Sequence, residues 1–133
     1  MTTAPASRFP AGGVRRLLRL EGLALLAGAL LLYARMQSSW LLFAGLFLLP
    51  DIAFAGYLFG RRAGAAAYNA AHSTLGPLSL AAFAGANAME QPLALALIWL
   101  AHVGLDRALG YGLKYASGFR DTHLGAIGRR IHQ

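Results

Sequence analysis

The chain of 133 residues contains no cysteine, which excludes disulfides, thiolate metal ligands, thiol redox chemistry and a cysteine nucleophile. It says nothing about compartment. Charge is also scarce: 13% of the residues are charged, and only five are acidic against twelve basic. With 57% of the chain apolar, a water-soluble globular domain is a poor match. The net charge of +7 raises nucleic acid as a partner. The basic residues do not gather on one exposed face among aromatic and polar groups, however. They flank apolar runs, so no nucleic acid is expected and anionic lipid is the simpler partner.

Long apolar runs are what the sequence has in quantity. A membrane-crossing helix needs about 20 mostly apolar residues, because the hydrocarbon core is ~30 Å thick and a helix rises ~1.5 Å per residue. Four segments qualify: Val14 to Tyr33, Trp40 to Gly60, the Ala- and Gly-rich stretch from Ala63 to Ala88, and Pro92 to about Gly112. The expected fold is all-α, an integral membrane bundle of four transmembrane helices. Residues 1–13 read as a flexible tail, 14–115 as the four-helix domain and 116–133 as a cytoplasmic or interfacial segment. "GVRRLLRLEGLALL" has the basic start and apolar run of a signal peptide, but no small-residue cleavage site follows, so it is expected to stay as the first helix.

Cytoplasmic loops collect Lys and Arg. With both termini inside, Arg8, Arg15, Arg16, Arg19, Arg61, Arg62, Arg107, Lys114, Arg120, Arg129 and Arg130 fall on or towards the cytoplasmic side, leaving only Arg35 outside. One sidedness thus accounts for eleven of the twelve basic residues. After the fourth span, Asp121 or Thr122 caps an expected short helix with Leu124, Ile127 and Ile131 on one side, lying on the inner membrane surface.

Acids inside such spans are costly, about 2.5–3.5 kcal/mol for Asp at a helix centre, and they usually face the bundle interior with a partner. Asp51 lies ten residues up the second span from Arg61, and His72 ten residues up the third from Arg62. At ~15 Å by helical rise, both reach the midplane. In "AHVGLDR", His102 and Asp106 are four apart on one face of the fourth span, at similar depth. All four can therefore meet. Two imidazoles and two carboxylates suit Zn, Mn or Fe better than Ca or Mg.

In the hydrolytic reading His72, His102 and one of Asp51 and Asp106 hold the ion. The other aspartate is general base, and Arg107 or Lys114 meets an anionic head group of a membrane-borne ester or phosphoester. Tyr68, Asn69 and His123 complete the supporting set, although His123, in the tail, reads as a solvated residue rather than a fifth ligand. Three other readings stand beside this one. Asp51 simply neutralises Arg107 while His72 and His102 bond carbonyls at kinks near Pro50 and Pro77; or the same groups relay protons or bind a small cation; or the two histidines hold a haem. Tyr57, Tyr111, Tyr115, Trp40 and Trp99 read as interfacial anchors, and Glu21 as the partner of a nearby arginine. Gly56 and Gly60 allow close backbone approach and permit a homodimer without requiring one.

A faint internal repeat relates "DIAFAGYLFGRRAG" to "DRALGYGLKYASG" and places Asp51 and Asp106 in related positions. The strings "YLFGRRAGAAAYNAAHS", "AHVGLDRALGYGLKY" and "GFRDTHLG" resemble the small bacterial membrane proteins of domain-of-unknown-function family 4260, over about residues 15–130. That resemblance implies a polytopic inner-membrane protein and no particular activity. A looser similarity, carried by "AHS" at His72 and "HVGLD" at His102 and Asp106, is to bacterial inner-membrane metal-dependent hydrolases, whose fuller His-rich pattern is absent here.

Overall fold

The computed structural model describes residues 10–127; Arg8, Arg129, Arg130, Ile131, His132 and most of the N-terminal tail lie outside the described residues. The chain is mainly helical: α1 Gly12–Arg35, α2 Trp40–Leu46, a 3-10 helix Leu49–Phe59, α3 Arg61–His72, α4 Leu75–Ala86 and α5 Glu90–Leu109. Among the described residues, three helical segments are long and apolar enough to cross a membrane: Gly12–Arg35, Trp40–Phe59 and Glu90–Leu109.

α5 is the centre of the fold. α1 packs on it antiparallel, with Gly22 against the backbone of Arg107 and Ala108 and Gly104 against Leu26. Ala29 and Tyr33 from α1 join Ala94, Leu97, Ile98, Leu100 and Ala101 from α5 in the main apolar cluster. By contrast, Leu41, Leu58 and Phe59 are more than four-fifths exposed, and many leucines of α1 point outward.

The second span is helical throughout but not uniformly α. Phe47 N–H still bonds the Phe43 carbonyl, whereas Asp51 N–H bonds Leu48, three residues back. The intervening Pro50 has no N–H to give, and the winding tightens there. At three residues per turn, Asp51, Phe54 and Tyr57 fall in one column. That column faces α3, where the Tyr57 ring lies over Gly64 and Phe54 lies 5.2 Å from the Tyr68 ring. Gly56 meets Ala67 and Gly64 of the same chain, so its close approach is used within the bundle.

The continuous third span expected over 63–88 does not form. It is two helices of 12 residues each, interrupted where Ser73 is extended (ψ 146°) and its Oγ accepts the Leu75 N–H at 3.1 Å. Each half is about 18 Å long, too short to cross a bilayer alone. The carbonyls freed at the break are satisfied from α5. Trp99 Nε1 donates to Ala71 at 2.6 Å and Arg107 Nη2 to His72 at 3.2 Å. Trp99 therefore anchors a helix end rather than an interface, and Arg107 places its charge at the negative end of α3.

Gly110, left-handed at φ +92°, ends α5 by sending its own N–H to Arg107 and that of Tyr111 to Asp106. The chain then turns back beneath α3. The expected helix from Asp121 is absent. Among the described residues, Asp121–Thr122 pairs with Gly125–Ala126 as a small antiparallel hairpin, with Gly125 at φ +124°, which a helix does not admit. Leu124 is buried in this arrangement, and Ile131 lies outside the described residues.

Candidate metal centre

The 3-10 helix delivers Asp51, α3 delivers His72 at its last residue, and α5 delivers His102 and Asp106 one turn apart. Their ligand atoms lie within 4.8 Å of one another. His72 Nε2 stands 3.1 Å from Asp51 Oδ1 and 3.5 Å from Asp106 Oδ2; His102 Nε2 stands 3.2 and 3.5 Å from the same atoms. The two Nε2 atoms are 3.2 Å apart. Four donors at about 2.0–2.2 Å from one tetrahedral ion would be separated by about 3.3–3.6 Å. The imidazole–carboxylate and imidazole–imidazole spacings, 3.1–3.5 Å, are close to those values.

Proton placement points the same way. The Tyr68 carbonyl can only accept, so His72 Nδ1, 2.9 Å away, donates to it. A neutral His72 then turns a lone pair, not a proton, towards two carboxylates and a second imidazole. If the ring were protonated, its single Nε2–H could serve only one of those neighbours. A cation at their common centre satisfies them all, and the Tyr68 carbonyl is the kind of outer partner that orients a metal-ligating histidine. His102 Nδ1 is buried with no hydrogen-bond partner among the described residues. Axial histidines on opposite sides of a haem iron would stand about 4 Å apart at metal–nitrogen distances of about 2.0–2.1 Å. The 3.2 Å separation does not accommodate that arrangement.

The imidazoles are buried, whereas the Asp51 and Asp106 side chains keep 37% and 20% of their exposure, so the centre is open on its carboxylate side. A cavity of about 340 Å³ lies there, its lining including Asp51 and Asp106 together with Phe54, Tyr68, Lys114 and Phe119. Tyr68 stacks on His72, with ring centroids 3.8 Å apart and planes 7° apart. Lys114 is 4% exposed. Its ammonium donates to the Phe119 carbonyl at 2.9 Å and sits 3.8 Å from the Phe119 ring centroid and 4.5 Å from that of Tyr68. Burial lowers its pKa from the ordinary lysine value, with the Asp106 charge acting in the opposite direction.

The remaining expected residues are placed less directly. Asn69 holds the backbone of Lys114 from both sides, its Nδ2 donating to the Lys114 carbonyl at 2.8 Å and its Oδ1 accepting the Lys114 N–H at 2.7 Å. Arg107 does not neutralise Asp51: among the described residues no arginine or lysine lies within ion-pair distance of a carboxylate, and the close basic neighbours of Asp51 are the imidazoles of the centre. It does not line the carboxylate-side cavity either, so of the two expected head-group partners only Lys114 is in place. Glu21 likewise has no arginine partner there, since Arg19 Nε donates instead to the Ala108 carbonyl at 2.8 Å.

His123 is neither a ligand nor a freely solvated residue. Leu113 N–H donates to its Nδ1 and Arg107 Nη1 reaches its Nε2, both at 2.8 Å, so two donors compete for the one lone pair of a neutral ring. Burial, then the Arg107 charge, lowers its pKa. Phe54, Phe119 and Trp99 are the site residues that sequence reasoning missed. The first was hidden by the 3-10 winding and the others by their default roles as apolar and interfacial groups.

No curated protein and no solved structure matches the chain, and no relative supports the looser similarity to metal-dependent hydrolases. The family model for a domain of unknown function, DUF4260, does match, over residues 15–127, and the chain is a member of that family.

Proposed function

We propose that this protein is a polytopic protein of the bacterial inner membrane whose His/Asp centre binds one divalent ion, Zn, Mn or Fe, and hydrolyses a membrane-borne ester. The convergence of four ligand atoms within 4.8 Å, each imidazole Nε2 standing 3.1–3.5 Å from both carboxylates, is the observation that carries the reading. His72 and His102, locked in the bundle, and Asp106, on the same rigid face of α5 as His102, hold the ion. Asp51 is the more exposed carboxylate and serves as general base. A bound ion lowers the pKa of a coordinated water and polarises the bond to be cleaved.

The membrane setting is supported by the exposed Leu and Phe surface and by the distribution of basic residues. In this setting α3 and α4 together make the remaining crossing, and the Ala71 and His72 carbonyls freed at the break are met by Trp99 and Arg107 of α5. Both termini are then cytoplasmic. Because the chain has no cysteine, single cysteines at Ser117 and Asn87 would report sidedness directly, labelling from the cytoplasmic and outer faces respectively; the reverse pattern would refute the orientation.

Metal content of detergent-purified protein tests the centre. About one equivalent of a divalent transition metal is expected in the wild type, and a loss of most of it in His72→Ala/His102→Ala. Absence of stoichiometric metal from wild type offered Zn, Mn and Fe would overturn the proposal.

A further inference from the structure

The carboxylate-side cavity has its own charge logic, and this inference rests on the metal-centre reading. Two carboxylates and one ammonium give its polar lining a charge of −1; a divalent ion raises that to +1. An anion is therefore repelled by the empty cavity and attracted by the loaded one, while a neutral ligand does not feel the change. Lys114 is the lining cation. No carboxylate pairs with it among the described residues, and one of its three N–H donors is taken by the Phe119 carbonyl, which leaves donors for a ligand. It is also fixed in place, since Asn69 grips its backbone and two aromatic rings flank its ammonium.

We propose that this cavity takes the phosphate head of an amphiphile, held between the ion and Lys114, and that phosphate and metal bind cooperatively. A phosphate monoester carries about −1.5 to −2 charges at neutral pH, enough to offset the loaded site. Lys114 is suited to such a group as a point charge rather than a planar fork. The space of about 340 Å³ holds a head group and the start of a chain, walled by Phe54, Tyr68 and Phe119, and leaves longer acyl chains to the lipid. Reciprocity follows: whatever factor the metal contributes to phosphate binding, phosphate contributes to metal binding.

Zinc affinity of the detergent-purified full chain is measured by chelator competition. The arms are no addition, phenylphosphonate, dihexanoyl phosphatidic acid, and neutral dihexanoylglycerol. Phenylphosphonate is expected to tighten zinc about tenfold, within the usual ~5–150-fold range of site coupling, and the phosphatidic acid at least as much, with no effect from the diglyceride. Lys114→Gln, which keeps a donor for Phe119 but removes the charge, is expected to lose the gain. A wild type that binds zinc without any gain, an equal gain from the diglyceride, or an undiminished gain in folded Lys114→Gln overturns the phosphate site. A gain from phenylphosphonate alone overturns the amphiphile and leaves a free phosphate compound as the ligand. If Lys114→Gln does not fold, the phosphatidic acid and diglyceride arms in the wild type decide. A wild type that binds no zinc removes this inference together with the centre beneath it.

Discussion

His72 is bound on every side. Its Nδ1 is fixed by the Tyr68 carbonyl, its ring by the Tyr68 face, its own carbonyl by Arg107, and its Nε2 by the centre. The sequence made part of this legible, since depth counting and the i, i+4 spacing of His102 and Asp106 brought the four side chains together. It did not reveal what surrounds them. Asn69 looked like one more polar group near His72, but its amide pairs with the Lys114 backbone, a long-range match that no local pattern encodes. The Asn69 and His123 contacts both tie down the chain after α5, and His123 makes that docking sensitive to pH. A free histidine titrates near 6.5, and burial beside Arg107 holds docked His123 below that value. Below about pH 6.5 the undocked segment takes up a proton that the docked one refuses. Docking is thus at full strength above that pH and weakens as pH falls towards the docked value. Proteolysis within residues 116–120 is expected to accelerate at pH 5.5 relative to 7.5 in the wild type more than in His123→Asn. Asn69→Ala should loosen the segment at both values, by about 0.5–1.5 kcal/mol for each of two lost hydrogen bonds. Equal pH dependence in the wild type and His123→Asn would contradict this role.

Helix boundaries were the least legible level. Apolar length alone marked the second and third spans as single helices, because hydropathy does not distinguish 3-10 from α winding and Ser73–Thr74 is only mildly polar. Pro50 and Pro77 were visible as points of disturbance. What they do depends on position: Pro50 precedes the tightened turn that carries Asp51, whereas Pro77 sits in the first turn of α4, where no helical N–H is missed. The 3-10 helix aligns Asp51 with Phe54 and so places a cavity wall directly beneath a carboxylate of the centre. Contact between α1 and α5 depends on glycines that allow the backbones to touch. A Cβ on Gly104 would stand 2.7 Å from Leu26 N and 2.9 Å from the Gly22 carbonyl oxygen, whereas one on Gly28 would meet nothing within 4 Å. Gly104→Ala is therefore expected to cost about 1–3 kcal/mol, and to lower the thermal unfolding midpoint in detergent. Gly28→Ala should be neutral or stabilising by about 0.5–1 kcal/mol, through helix propensity alone. Equal midpoints for the two variants would show that this crossing is not close-packed.

The whole molecule turns the usual distribution of polarity around, with leucine and phenylalanine outside and two imidazoles within. Composition made that inversion legible from the start, because 57% apolar and only 13% charged residues depart from the usual make-up of a soluble domain. The C-terminal hairpin was not legible, since Thr122 and Gly125 acquire their roles only once Lys114 is fixed against α3. X-ray absorption at the zinc edge of the purified, metal-loaded protein tests the centre most directly. About four nitrogen and oxygen neighbours at about 2.0–2.2 Å are expected, with outer-shell scattering from two imidazole rings that disappears in His72→Ala/His102→Ala. A shell of oxygen atoms alone, or a spectrum unchanged in the double variant, would contradict it.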